Sequence, residues 1–201
     1  MTSAAPVSAN GRCYRMPEQP VVVVCIDVSE PAYFDEALAQ GAAPGIARFR
    51  RDGVYRLARS VVPSFTNPNN LSIVTGVPPA IHGISGNYFY DPATGQEVMM
   101  NDPKFLRCET LLAALSLAGA RVAVVTAKDK LRRLLGHGMS GVCFSSERAD
   151  QTTKHEHGIE RATDLVNMPV PSVYSAELSE YVLAAALALL RRERPDAMYL
   201  S

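Results

Sequence analysis

The run Val21-Val-Val-Val-Cys-Ile26 constrains the fold more than any other stretch. It shows no alternation of apolar and polar residues, so a strand made from it needs cover on both faces, and such strands belong to parallel sheets layered between helices. It is expected to be a central parallel strand. The residues after it carry the matching punctuation. Pro31 and Pro44 stand at first helical positions, with Gly41 and Gly53 just past the helix ends, the usual asymmetry of proline first and glycine last. Residues 54–62 are expected to be a strand. Asn67-Pro68 opens a further helix that Gly76 closes, and residues 87–100, with Asp91-Pro-Ala-Thr-Gly95 at the centre, predict a hairpin outside the main sheet.

The second half alternates regularly: helix 109–118 stopped by Gly119, strand 122–126, helix 131–135, strand 142–145, helix 175–194 and a strand opening at Pro195. This order predicts an α/β fold with a mostly parallel sheet flanked by helices. Residues 1–19 are polar and are expected to be a flexible leader ahead of a single domain over 20–201. Residues 146–171 lack periodicity and are expected to be a long excursion, a candidate cap. A domain ending on the first residues of a new strand is expected to be cut at its C-terminal side.

Composition then removes whole classes of function. Twenty basic and twenty acidic side chains cancel, so the electrostatic footprint of a nucleic-acid or anionic-membrane binder is missing and a small-molecule partner is expected. No apolar run spans a bilayer, and the polar start offers no export signal. The cysteines at 13, 25, 108 and 143 are widely spaced with no Cys-x-x-Cys pair, as expected of reduced thiols in a cytoplasm. Oligomeric state stays open, a homodimer included.

Chemistry points to the carboxyl end of the first strand, where ligands collect in open α/β sheets. Asp27 follows that strand. Its position suits a metal ligand, and it equally suits a cap on the helix beginning near Pro31. Thr66 falls near the start of the helix opened by Pro68, where backbone amides and the positive end of the helix dipole favour a phosphoryl group. It equally suits a plain N-cap. An aliphatic hydroxyl becomes a nucleophile only beside a base or a metal. Lys128 and Lys130 follow strand 122–126 and are either binding cations or a solvated helix start. Lys154-His155-Glu-His157 lacks the strand character that would aim both rings at one ion, and is expected to be a solvated loop or a cap contact. His137 reads as a turn residue, and Cys25, Cys108 and Cys143 as small apolar side chains.

The composite Thr66-Asn-Pro-Asn-Asn-Leu-Ser-Ile-Val-Thr-Gly76, Pro78-Pro-Ala-Ile-His-Gly-Ile84 and Gly86-Asn-Tyr-Phe-Tyr-Asp91 resembles the alkaline phosphatase superfamily, in its nucleotide pyrophosphatase/phosphodiesterase-like branch. Within that branch the chain is most similar to members that hydrolyse the carbon–phosphorus bond of phosphonoacetate. The resemblance covers nearly all of residues 20–201. It implies an alkaline phosphatase-like core and a pair of zinc ions at the reacting phosphoryl group. It implies Asp27 as a zinc ligand and Thr66 as a nucleophile that also binds that zinc. It further implies Asn87 and the Asn67 amide as phosphoryl donors, and Lys128 and Lys130 as the pair holding a substrate carboxylate. His82 matches no metal ligand and is expected to serve a structural hydrogen bond. The remaining zinc ligands implied lie beyond the strand beginning at Ala197, and one aspartate with one threonine does not fill a tetrahedral site. This stretch by itself is therefore expected to be inactive. Two other readings stand: a nucleotide phosphodiesterase or phosphomonoesterase of the same superfamily, and a non-catalytic α/β binding module. No Gly-x-Gly-x-x-Gly follows the first strand to favour the latter.

Overall fold

The structure, a computed structural model, describes residues 5–201. It divides into two compact units, residues 26–60 forming one and the remainder the other. In the larger unit β1 (Val7–Ala9) and β2 (Arg12–Tyr14) pair antiparallel. Their turn is Asn10-Gly11, with φ of 49° and 76°, the left-handed pair that a tight hairpin requires. Val7 and Ala9 are buried, and the Asn10 side-chain amide donates to the carbonyls of Thr75 at 2.9 Å and Glu109 at 2.7 Å. Within the expected flexible leader, residues 7–14 thus form a docked hairpin; residues 1–4 lie outside the described residues. β3 (Val21–Val24) comes next.

The smaller unit holds α1 (Pro31–Ala39) and α2 (Pro44–Asp52), each opened by its proline as expected. Arg50 Nη1 ties them through the Asp35 carboxylate at 2.7 Å. Residues 54–62 are irregular, not a strand. A strand exists only by pairing, and among the described residues none pairs with this segment.

Back in the larger unit, α3 (Thr66–Thr75) ends at Gly76, whose φ is 68°. That left-handed φ favours glycine, and a Cβ there would stand 2.7 Å from the Tyr14 hydroxyl of the hairpin packed on it. α4 (Pro79–His82) and the hairpin of β4 (Tyr88–Asp91) and β5 (Gln96–Met99) come next, the hairpin forming its own two-stranded sheet as expected. After them stand α5 (Leu111–Leu117), β6 (Val122–Thr126), α6 (Asp129–Leu135), β7 (Val142–Ser145), α7 (Lys154–His157), α8 (Glu177–Arg192) and β8 (Ala197–Leu200).

The main sheet is parallel throughout, with strand order β3-β8-β6-β7. Strand alternation splits the core in two. Val122, Val124 and Tyr199 pack with Leu71, Leu115 and Leu134 on one face. Ala123, Val125, Met198 and Leu200 pack with Tyr181, Ala185 and Leu189 on the other. Each fully buried side chain of this size contributes about 1.5–3 kcal/mol by leaving water. Double burial falls on β6 and β8. β3, expected at the centre, is an edge strand among the described residues, paired with β8 alone, and its valines remain 39–50% exposed. Residues 146–171 fold as short helical turns against α8, with Ala149 and Ala162 buried and Tyr181 donating its hydroxyl to the Ala162 carbonyl at 3.2 Å.

Candidate active site

Thr66 is the first residue of α3, one position inside the expected cap, and Phe65 takes the cap position without a side-chain bond. Thr66 is therefore the first helical residue and not the N-cap. Behind it, Asn70 donates to the Thr66 carbonyl at 3.0 Å and accepts the Tyr199 hydroxyl at 2.7 Å, which ties the helix start to β8. The Asn67 N–H donates to Asn87 Oδ1 at 3.2 Å, and Asn67 Nδ2 donates to the Met100 carbonyl at 3.0 Å. Asn67 Oδ1 is buried and takes no hydrogen bond among the described residues. These contacts bring Thr66, Asn67 and Asn87 to one helix terminus. They also fix the Asn87 amide: only its oxygen can face an N–H, so its NH2 group points away from Asn67.

His82 supports this arrangement from below and is fully buried. Its Nδ1 accepts the Ile84 N–H at 3.2 Å, which leaves Nε2 to carry the proton and donate to Ser72 Oγ at 2.9 Å. Burial holds its pKa below the ordinary 6.5. The structural role expected of it is the one observed.

Lys128 caps α6 and Lys130 lies in its first turn, past the carboxyl end of β6. Both line one polar cavity of about 530 Å³. Its anions are largely committed. Asp129 accepts from Arg132 Nε at 2.5 Å and Ser145 Oγ at 3.1 Å, Glu156 accepts from Arg132 at 3.1 Å, and Glu147 accepts the Asp129 N–H at 2.8 Å. Burial pushes the Asp129 carboxyl up, but the bonds and charge of Arg132 outweigh it and leave the pKa below the ordinary carboxylate value. Lys128, Lys130, Arg133 and Arg148 also line the cavity, so its balance is cationic. Sequence reasoning missed the two arginines, and it missed Tyr174, whose ring lies 3.6 Å from Lys128 Nζ. The spacing of 128, 148 and 174 along the chain carries no pattern that joins them. A second cavity of about 530 Å³ runs along β3, lined by Tyr14, Val21, Val23, Leu115 and Tyr199. It is mainly apolar and offers little to bind an anion, so the polar cavity is the better candidate.

Asp27 lies in the smaller unit and is exposed, its Oδ1 accepting the Val28 N–H at 3.0 Å. Val28 has φ of 58°, a left-handed conformation that a β-branched residue rarely adopts. Among the described residues no group of three or more His, Cys, Asp or Glu stands together to hold a metal. A tetrahedral zinc generally takes at least three protein ligands. The donors among the described residues therefore do not by themselves fill a zinc site. His157, expected in a solvated loop, is instead buried, with Nδ1 accepting the Thr153 N–H at 3.1 Å and burial lowering its pKa. His137 sits in the turn after α6 as expected. Cys143 is buried, and burial pushes its thiol up to about 12, consistent with an inert apolar role.

A parallel sheet whose strands β6 and β8 are covered on both faces, with a hydroxyl at one helix start and a cationic cavity past β6, defines an α/β core with a candidate anion site. The chain belongs to the type I phosphodiesterase / nucleotide pyrophosphatase family, which it matches over residues 21–199. Its core is alkaline phosphatase-like. Phosphonoacetate hydrolase from Sinorhizobium meliloti 1021, solved in complex with phosphonoformate and with phosphonoacetate, is 58% identical with a TM-score of 0.95. That match covers 99% of this chain and 49% of that one, so the chain spans about half the length of this relative. An uncharacterized pyrophosphatase/phosphodiesterase of Schizosaccharomyces pombe is 33% identical over 87 residues, 42% of this chain and 17% of that protein. Human ectonucleotide pyrophosphatase/phosphodiesterase family member 1 is 45% identical over 53 residues, 26% of this chain and 6% of that protein.

Proposed function

We propose that the whole protein hydrolyses the carbon–phosphorus bond of phosphonoacetate, giving acetate and phosphate. The observation that carries this reading is the 58% identity, over 99% of this chain, to a phosphonoacetate hydrolase. Thr66 Oγ attacks phosphorus as its hydroxyl proton departs. The new O–P bond forms, the C–P bond breaks, and its electron pair leaves on the acetate carbon, which takes up a proton to become acetate. Water then cleaves the phosphothreonine, restoring the hydroxyl and releasing phosphate, so one water is consumed per turnover. The Asn87 NH2 group donates to a phosphoryl oxygen; the Asn67 N–H, expected to do the same, instead donates to Asn87 Oδ1 and holds that side chain in orientation.

The carboxylate of the substrate falls to Lys128 and Lys130. Charge developing on the leaving carbon delocalises into that carboxylate, and fixed cations stabilise it most in the transition state. Asp27 and Thr66 are our proposed zinc donors from this chain, with the other ligands supplied from elsewhere in the whole protein. When bound, zinc supplies the Lewis acidity that lets an aliphatic hydroxyl ionise near neutral pH. The cysteines at 13, 25, 108 and 143 are widely spaced with no Cys-x-x-Cys pair, which favours a reducing compartment, and we place the protein in the cytoplasm.

Phosphate release from phosphonoacetate by the full-length protein tests the reading. Thr66→Ala should lower kcat by at least about a thousandfold; a normal rate would rule out the nucleophile. The short match to an ectonucleotide pyrophosphatase/phosphodiesterase favours a second reading, nucleotide phosphodiester hydrolysis. That activity has no use for two lysines holding a small carboxylate. Faster turnover of a nitrophenyl phosphodiester than of phosphonoacetate would select it.

A further inference from the structure

Residues 172–175 form a turn closed by the Ser175 N–H donating to the Ser172 carbonyl at 3.2 Å. Tyr174 holds its third position with φ of 77°, where such turns take glycine. A tyrosine there is strained, and its ring, 91% exposed, gains little from burial to offset the cost. What the strained backbone does is carry the ring over the polar cavity, with its centroid 3.6 Å from Lys128 Nζ. At that distance the ring face attracts an ammonium and restricts where it can stand.

We propose that Tyr174 is a positioning and specificity residue: its ring fixes the Lys128 ammonium and walls the cavity at the end that receives the substrate carboxylate. This rests on the reading of Lys128 as a carboxylate-binding group. The full-length protein tests it through Tyr174→Gly, which suits the φ and removes only the ring, and Tyr174→Phe, which keeps the ring. With phosphonoacetate, Tyr174→Gly should raise KM by about two- to fivefold, and Tyr174→Phe should stay near the parent. Turnover of a nitrophenyl phosphodiester, which has no carboxylate, should be unchanged in both, and Tyr174→Gly should add no further loss to Lys128→Ala. Equal losses on both substrates, or full additivity with Lys128→Ala, would overturn the assignment, as would an unchanged KM in Tyr174→Gly. A parent protein that releases no phosphate from phosphonoacetate would instead defeat the underlying reading, and this inference with it. Tyr174 is exposed and glycine accepts its φ, so the thermal midpoint of Tyr174→Gly should not fall.

Discussion

Asn87 is aimed through its oxygen. Because Oδ1 accepts the Asn67 N–H at 3.2 Å, the donor half of the amide points away from Asn67 and is the half available for the phosphoryl oxygen proposed above. Asn87→Asp keeps an acceptor for Asn67 but loses the donor and adds a negative charge. Phosphate release should fall by about a hundredfold or more while the thermal midpoint changes little; a wild-type rate would remove Asn87 from the site. His82 makes a different kind of prediction. Burial holds its folded pKa below 6.5, so as pH falls below about 6.5 the unfolded chain takes up a proton that the folded chain refuses. Stability should be complete above that pH and decline beneath it, with His157 adding to the same slope. Urea midpoints measured from about pH 7.5 down to about pH 5.5 should therefore decrease, and His82→Gln should flatten part of that decrease. Identical slopes in the two proteins would contradict the burial of the imidazole. His82 was readable as structural because, in its Pro-x-x-His-Gly-Ile run, it matches no metal ligand of the family the sequence resembles and falls after the helix. Tyr174 was not, since neither its φ nor its neighbour Lys128 leaves a mark in the local sequence.

Among the helices and strands, legibility followed the punctuation. Pro31, Pro44, Gly76 and Gly119 each stood where a helix begins or ends, and strands 122–126 and 142–145 were bounded by turns, so these were placed to within a residue or two. The segments that failed are those whose state depends on a distant partner. Residues 54–62 have strand-like side chains but no strand to pair with among the described residues. The hairpin of β1 and β2 fails in the opposite sense. Its strands are three residues each, too short to show alternation, and they hold because Val7 and Ala9 dock in the core and Asn10 bridges two carbonyls. The Asn10-Gly11 dipeptide was the one available signal. Asn10→Ala removes both bonds and the residue best suited to its positive φ, and should destabilise the protein by about 1–3 kcal/mol, read as a lower urea midpoint at constant slope. A flexible leader would show no change.

In the assembled sheet, the order β3-β8-β6-β7 explains why one expectation about β3 held and another did not. The continuous apolar run correctly indicated a parallel strand, but burial on both faces depends on the layers packed against the sheet, and here those layers cover β6 and β8 rather than β3. The same reasoning applies to the metal. Asp27 follows β3 and Thr66 opens α3, yet the described residues contain no cluster of three His, Cys, Asp or Glu, and two donors bind zinc far more weakly than three or four. Residues 1–201 produced alone should therefore retain no zinc after desalting, whereas the full-length protein should retain a pair of ions per protomer. In the full-length protein Asp27→Asn exchanges an anionic donor for a neutral one and should lower the zinc content measured by elemental analysis, with Lys128→Ala as a control that leaves it unchanged. Metal analysis reads the ligand set without reference to turnover, so it separates the zinc assignment from the substrate assignment. A full zinc complement in Asp27→Asn would remove Asp27 from the ligand set even if phosphonoacetate proves to be the substrate.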